Sequence, residues 1–348
     1  MSVAVRAHPR LGPRLRFFLR RIALAILVVL GSITVTFIIS RIVPSDPAAR
    51  WAGPRATVEQ VAIARERLGL DRPLYEQYLS YLGDLSRGDL GVSFSSKREI
   101  LTDLGDKLPA TLEPLILATL LAFLVGIPIG VLAAARPGSL FDQISRLGSI
   151  VSVSLPTFWL VLLLQLLFFK QLGWLPLSGR VSDQIALTSP VRPITGFYLI
   201  DTALTGNWAA FGDVALHLVI PMLALAAYPA GIAIRMTRAA MGEVLTERYI
   251  LAARAVGISE RQILFRFALR NAILPTITVI GLSFAYSITG AFFVEVIVSW
   301  PGVGGYAATA VSNLDFPVIV ATTLVVTVLY VVINLIVDIV HAWLDPRI

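Results

Sequence analysis

The chain has 348 residues, 56% of them apolar and only 15% charged, a surplus that a soluble core of this length could not hide, so lipid is the solvent for much of its surface. It contains no cysteine, which excludes a disulfide framework and a thiolate metal site. Its net charge of +7 sits in an Arg-rich N-terminus and a second cluster over 235–270, neither interleaved with exposed aromatic stacking residues on a soluble fold, so membrane orientation explains both more economically than a nucleic-acid surface.

Residues 1–21, carrying Arg6, Arg10, Arg14, Arg16, Arg20 and Arg21, form an N-terminal segment before the first apolar run, 22–40, which Arg41 closes. That run is too long for the h-region of a signal peptide and no small-x-small cleavage site follows, so it reads as a retained span. Residues 41–110 are polar but not disordered. Thr57-Val58-Glu59-Gln60 is a capping-box pattern, Gly69 marks the stop of the helix it starts, and Pro73 opens a second helix ending near Gly88. Ile100, Leu101, Leu104 and Leu108 share a face and predict a third helix, suited to lying on the membrane surface.

Five further apolar runs, 112–135, 147–169, 214–234, 272–298 and 316–341, make a five-helix core over 111–341, followed by a tail at 342–348. Each run approaches the roughly 20 residues that a bilayer requires, so the fold class is all-α, a polytopic membrane protein of about six spans. Pro128, Pro156, Pro221 and Pro229 fall inside spans, where they are packing kinks or hinges for opening and closing. The side holding both termini and the loops 136–146 and 235–270 carries 16 basic and five acidic residues, whereas the long loops 41–110 and 170–213 are charge-balanced. The positive-inside rule therefore places both termini in the cytoplasm of a plasma (inner) membrane protein.

The loop after the fourth span is too long for a minimal connector. Residues 243–256 favour a helix with Tyr249, Ala252, Ala253 and Val256 on one face; Gly257 stops it, and Ser259 with Gln262 caps the next. Small side chains at Ala253, Ala255 and Gly257 permit close approach of another backbone, with Arg254 and Glu260 setting register. From the residues alone, a basic loop resting on anionic lipid head groups serves equally well.

The sequence Ala253-Arg254-Ala255-Val256-Gly257, followed by Phe267-Ala268-Leu269-Arg270-Asn271-Ala272-Ile273-Leu274-Pro275, resembles the EAA loop of ABC-importer permeases, peptide/nickel branch. It departs from that pattern at Val256, usually Lys, and Phe267, usually His; Leu251 stands at the family's leading Glu. Leu108-Pro109-Ala110-Thr111-Leu112-Glu113, the Val294–Gly304 stretch, Asn334 with Asp338, and Asp345-Pro346-Arg347-Ile348 resemble other family segments in the family's order. Arg87-Gly88-Asp89-Leu90-Gly91-Val92-Ser93 resembles the B-type permease.

The resemblance implies a type I importer permease fold, an ATPase-coupling loop over 238–270, and Ala252, Ala253, Arg254, Ala255, Gly257, Ser259 and Glu260 as coupling residues. It implies a C-type permease partner, two ATP-binding subunits and an external solute-binding protein, besides membrane lipid, with di- or oligopeptides as cargo and nickel, glutathione or other small solutes as alternatives. The chain has no Gly-x-x-x-x-Gly-Lys-Ser/Thr loop, and His8, His217 and His341 are scattered, so neither catalysis nor a metal or other cofactor is expected in it. An ion-coupled secondary transporter is the rival reading; it would require carboxylates near the membrane midplane.

Intramembrane polar groups are the path candidates: Ser152, Ser154, Thr157 and Gln165 on the third span, and Ser283, Tyr286, Ser287 and Thr289 on the fifth. Interhelical hydrogen bonding is the competing role for each. Glu295 lies roughly 30 Å beyond Pro275 along a helix, near the outer surface. With Trp300, Pro301 and Gly302 it is a candidate for an outer gate or binding-protein dock, against a local helix-capping role. Asp338 belongs to a structural hydrogen-bond network.

Overall fold

The computed structural model describes residues 13–42, 46–53 and 55–344; Arg6, Arg10 and the terminal 345–348 lie outside them. Among the described residues the chain is helical, with a single isolated bridge between Val92 and Glu99. The first span belongs to α1 (Pro13–Ile42). Outside the membrane come α2 (Pro47–Ala52), α3 (Val58–Arg67) and α4 (Leu74–Ser86). Thr57 and Gln60 exchange both capping-box bonds, and Gly69 follows α3 at φ +61°, the left-handed turn that favours glycine.

Next is α5 (Ile100–Ala135), in which the face of Ile100 and Leu104 is not a separate surface helix. No breaker lies between it and the apolar run, because Pro109 and Pro114 are accommodated within the helix, and both side chains pack into an outer cluster with Val303, Ala310, Val318 and Ala321. The third span is broken: α6 (Leu140–Ser154) and α7 (Thr157–Leu164, with a wider turn over Gln165–Gln171) meet at 108°. Pro156 has no N–H to give and forces Leu155 extended, at ψ 127°, so the continuous helix expected over 147–169 cannot form. Pro128, Pro221 and Pro229 stay inside their helices.

Two short outer helices, α8 (Asp183–Thr188) and α9 (Tyr198–Leu204), precede α10 (Trp208–Val244), which packs against α5, α6, α7, α9 and the fifth span. After α10, α11 (Arg248–Ala255) is followed by α12 (Glu260–Gln262), which runs through a wide turn at Ile263–Ala268 directly into α13 (Leu269–Ile297). The chain ends with α14 (Val303–Asn313) and α15 (Phe316–Leu344). Five helices are long and apolar enough to cross a membrane, six if the bent pair is one span.

The bundle is held by close approach as well as by bulk. A Cβ on Gly126 would lie 2.6 Å from the Ala233 methyl, and one on Gly130 2.6 Å from Thr237 Cβ. These two glycines, four apart on one face of α5, let α10 come near enough for backbone contact, the packing device of membrane helices.

Candidate functional site

The bend between the fourth and fifth spans is built on an apolar base. Ile250 and Ala253 of α11 are buried with Met241 of α10, Ile263, Leu264 and Ala268 of the wide turn, and Val131 of α5. Gly257 turns the chain at φ +82°, and a Cβ there would meet nothing of this subunit within 4 Å beyond its chain neighbours. Ala252, Arg254, Ala255, Ser259 and Glu260 are exposed, whereas Ala253 is buried. The shared face expected for Tyr249, Ala252, Ala253 and Val256 is not the buried one: Ile250 and Ala253 point inward, while Val256 is 76% exposed. Ser259 stands at the start of α12 without a capping bond from its side chain, and the second short helix expected there is the inner end of the fifth span. Arg254 donates to Glu260 at 2.8 Å across the bend. The result is a surface of small and apolar side chains, Leu251, Ala252, Val256 and Gly257, on a rigid base.

At the outer end Glu295 is buried. It accepts from Thr111 Oγ1 (2.6 Å) and from the N–H groups of Gly304 (2.7 Å) and Gly305 (3.0 Å). Those two amides belong to the first turn of α14, so the carboxylate occupies a helix-capping position. Trp300 is buried and its Nε1 donates to the Ala110 carbonyl at 2.8 Å; Pro301 is exposed and Gly302 buried. These contacts lock the turn after the fifth span onto α5.

The path candidates divide. Ser152, Ser154, Ser283 and Ser287 donate to carbonyls four residues earlier in their own helices, at 2.6, 2.8, 2.7 and 2.9 Å. Gln165 is buried and donates to Leu177 O at 2.7 Å, fastening an outer loop. Thr157 lies against Gly290, bringing the broken span to the fifth. Tyr286 is 61% exposed and faces Tyr228, with ring centroids 4.8 Å apart. Thr289, also exposed, lines a cavity of about 270 Å³ that reaches Thr111, Glu295, Thr322 and Thr327. Asp338 pairs with Arg21 of the first span at 3.0 Å, whereas Asn334 donates to Tyr330 O.

Two ion pairs were not singled out from the sequence. Arg180 donates to Glu113 at 2.5 Å and to Gly196 O at 2.6 Å, with Tyr198 beneath its guanidinium at 3.6 Å. Asp142 accepts from both Nε and Nη2 of Arg238, joining α6 to α10. A carboxylate inside an apolar run is itself a signal for a partner, and Glu113 offered that signal. Among the described residues no cluster of His, Cys, Asp and Glu is disposed to hold a metal ion.

Residues 126–348 match the family described as binding-protein-dependent transport system inner membrane component, and 14–114 match the N-terminal part of that transport system's membrane component. The probable D,D-dipeptide transport system permease protein DdpB of Escherichia coli (strain K12) is 43% identical, covering 93% of this chain and 94% of that protein. The di/tripeptide transport system permease protein DppB of Pseudomonas aeruginosa (strain UCBPP-PA14) is 41% identical over 96% of this chain and 98% of its own length. A solved structure of the MetNI methionine ABC transporter, in inward-facing conformations, aligns with a TM-score of 0.49 at 16% identity, over 68% of this chain and 93% of that one.

Proposed function

The chain belongs to the binding-protein-dependent transport system inner membrane components, and from that premise we propose that it is the B-type permease of an ATP-driven importer of di- or oligopeptides. Its immediate partners are then a C-type permease, two ATP-binding subunits and an external solute-binding protein. The peptide cargo is supported by relatives named as dipeptide and di/tripeptide permeases, matched over nearly the whole chain.

One observation carries the coupling role: the bend at Gly257 is exposed to its surroundings yet founded on the same buried cluster as the inner ends of α5, α10 and α13. In this reading residues 238–270 are the coupling loop. An ATPase presses on Leu251, Ala252, Ala255, Val256 and Gly257, with the Arg254–Glu260 pair holding the bend in register. The push reaches the spans because Ile250 and Ala253 are packed among them. Residues 41–110 up to the start of α5 form the outer portion, and Glu295 with Trp300, Pro301 and Gly302 acts as a fixed outer closure. Exposed Tyr286 and Thr289, with Ser154 and Thr157 at the break in the third span, line this subunit's half of the path.

The test is purification and reconstitution with the neighbouring transport genes co-expressed. The ATP-binding subunits co-purify, and uptake of a labelled dipeptide requires ATP and the binding protein. Uptake driven by an ion gradient without the ATPase subunits would overturn the importer reading; uptake of nickel or glutathione and not dipeptide would overturn the cargo alone.

A further inference from the structure

Tyr286 of α13 and Tyr228 of α10 meet with ring centroids 4.8 Å apart and planes tilted by 35°. Tyr286 stands within about 2 Å of the middle of the apolar run 272–298, and Tyr228 within about 6 Å of the middle of 214–234, at 1.5 Å per residue. Tyrosine in membrane proteins gathers at the two interfaces, where its hydroxyl meets water. Here both residues lie at mid-depth, neither hydroxyl makes a hydrogen bond among the described residues, and Tyr286 is exposed. A hydroxyl turned to hydrocarbon at that depth would stay unpaired and bear its full desolvation cost.

A second observation points to the same side. The third span breaks at Leu155-Pro156, near the middle of the run 147–169, where Leu155 is extended and Pro156 exposed. Irregular backbone is tolerated at membrane depth only where protein buries it or water reaches it. The break flanks the tyrosines: Ser152 and Val153 lie against Gly231, three residues past Tyr228, and Thr157 lies against Gly290, four past Tyr286. The exposed side of α13 continues through Leu282 and Phe293, and Phe293 meets Phe158 of α7 with ring centroids 6.2 Å apart. Such bulk is the opposite of the small side chains that seat α5 on α10 at Gly126 and Gly130, so this side is not shaped for a tight helix seam. Nor does it hold charge: no charged side chain lies between Arg146 and Lys170, between His217 and Arg235, or between Arg270 and Glu295.

We propose that Tyr286, braced by Tyr228, is the cargo's contact at the middle of the path and reads its peptide bond. The assignment rests on the importer of di- or oligopeptides proposed above and names the chemistry of its path. A phenolic hydroxyl both donates and accepts, so it takes either the carbonyl or the N–H of an amide. Without a carboxylate or a cation at this level, this subunit offers nothing to the charged ends of a dipeptide, which stay with water. The neutral amide is the group the site can recognise. One neutral contact is also weak, so cargo is passed on rather than held. Tyr228 is a positioning residue: its ring fixes the direction in which Tyr286 points.

The test uses the complete transporter in lipid. In proteoliposomes with liganded binding protein outside and ATP within, Tyr286→Phe lowers the maximal uptake rate of labelled dialanine about fivefold, the scale of one neutral hydrogen bond. The half-saturating concentration of liganded binding protein stays unchanged. Tyr228→Leu lowers the rate as well, and Tyr228→Phe, which keeps the ring, restores it. Because the chain has no cysteine, Tyr286→Cys gives it a single labelling site. In nanodiscs a permanently charged methanethiosulfonate modifies that cysteine in the nucleotide-free or the vanadate-trapped state, and dialanine delivered by the binding protein slows the reaction. No modification in either state would mean that lipid or the second permease covers the position, and would overturn the proposal. So would loss of uptake that merely tracks a lowered unfolding temperature. A wild type that moves no dipeptide would overturn the cargo reading and this inference together, whereas a wild type matched by Tyr286→Phe overturns this inference alone.

Discussion

Gly257 separates a contact with a partner from a contact within the chain. Its φ of +82° is strained for any residue with a Cβ, and a Cβ there would meet no atom of this subunit within 4 Å beyond its own chain neighbours. Gly257→Ala and Gly257→Leu therefore share one intrinsic cost, the left-handed strain of about 1–2 kcal/mol, and Gly257→Asn pays less of it. Gly257 is exposed, so within the isolated chain the longer Leu side chain has solvent to extend into. If an ATPase surface closes over the bend, the larger side chain overpacks that contact by about 1–3 kcal/mol, a five- to 150-fold loss of coupling. Dipeptide uptake in cells, ATPase stimulation in nanodiscs and thermal unfolding of the purified transporter are measured across the series. The expected pattern is a shared small drop in stability for Ala and Leu, a smaller one for Asn, near-normal uptake for Ala, and loss of uptake for Leu with membrane insertion intact. Leu transporting as well as Ala, or Leu failing only because it unfolds further than Ala, would refute the reasoning.

Two further outcomes follow from the outer side. Arg180→Met leaves Glu113 buried with only the Leu199 amide, so unfolding in detergent should show a loss of about 3–5 kcal/mol, whereas Arg180→Met with Glu113→Leu should recover most of it. Burial alone would raise the Asp201 carboxyl, but the hydroxyl and N–H of Thr195 and the N–H of Gly196 outweigh it and hold the carboxyl below the ordinary range. Its contribution to stability is therefore full above the unfolded value of about 3.9 and is lost as pH falls through the lower folded value. Asp201→Asn should flatten the acid limb of the unfolding midpoint against pH; an unchanged limb would show that Asp201 is not linked to folding.

Local chemistry was legible where a local bond decides the outcome. The Thr57–Gln60 box, the Gly69 stop and the start of α4 after Pro73 each depend on neighbours within a few residues, and they form as the sequence predicts. Pro156 shows the opposite case. Pro128, Pro221 and Pro229 carry the same ring and stay helical, so which proline breaks a span depends on what neighbouring helices offer the freed carbonyls. The fusion of α12 with the fifth span was hidden in a similar way: Ser259 looks like a new beginning, but no breaker lies between Gln262 and Pro275 to end what it begins. Gly126 and Gly130 carried a readable small-x-x-x-small spacing, and their partners Ala233 and Thr237 repeat it about a hundred residues away, but nothing local says that these two stripes meet. Glu295 was placed near the outer surface by simple counting, yet its capping role depends on the chain folding back at Ser299–Gly302 to bring the amides of α14 beneath it.

The packing around the bend decides what a push there could move. Ile250 and Ala253 share one buried cluster with residues of α5, α10 and the wide turn leading into α13, and apolar cores of native density shift as units rather than deform. α5 and α10 are further fused by the Gly126 and Gly130 contacts. A force applied at Gly257 would thus turn these three helices together. The inner half of the third span gives no residue to that cluster: it joins α10 through the two bonds of Asp142 and Arg238 and through the close approach of Ser149, Ser152 and Val153 to Gly231, and its outer half departs at 108° beyond Pro156. The break therefore lies at the edge of the body that the buried cluster holds together, beyond the Gly231 contact that seats the inner half on α10. Ser154, exposed, and Thr157, half-buried against Gly290, flank that break, so a displacement of the two halves about Pro156 would be felt first at these two side chains.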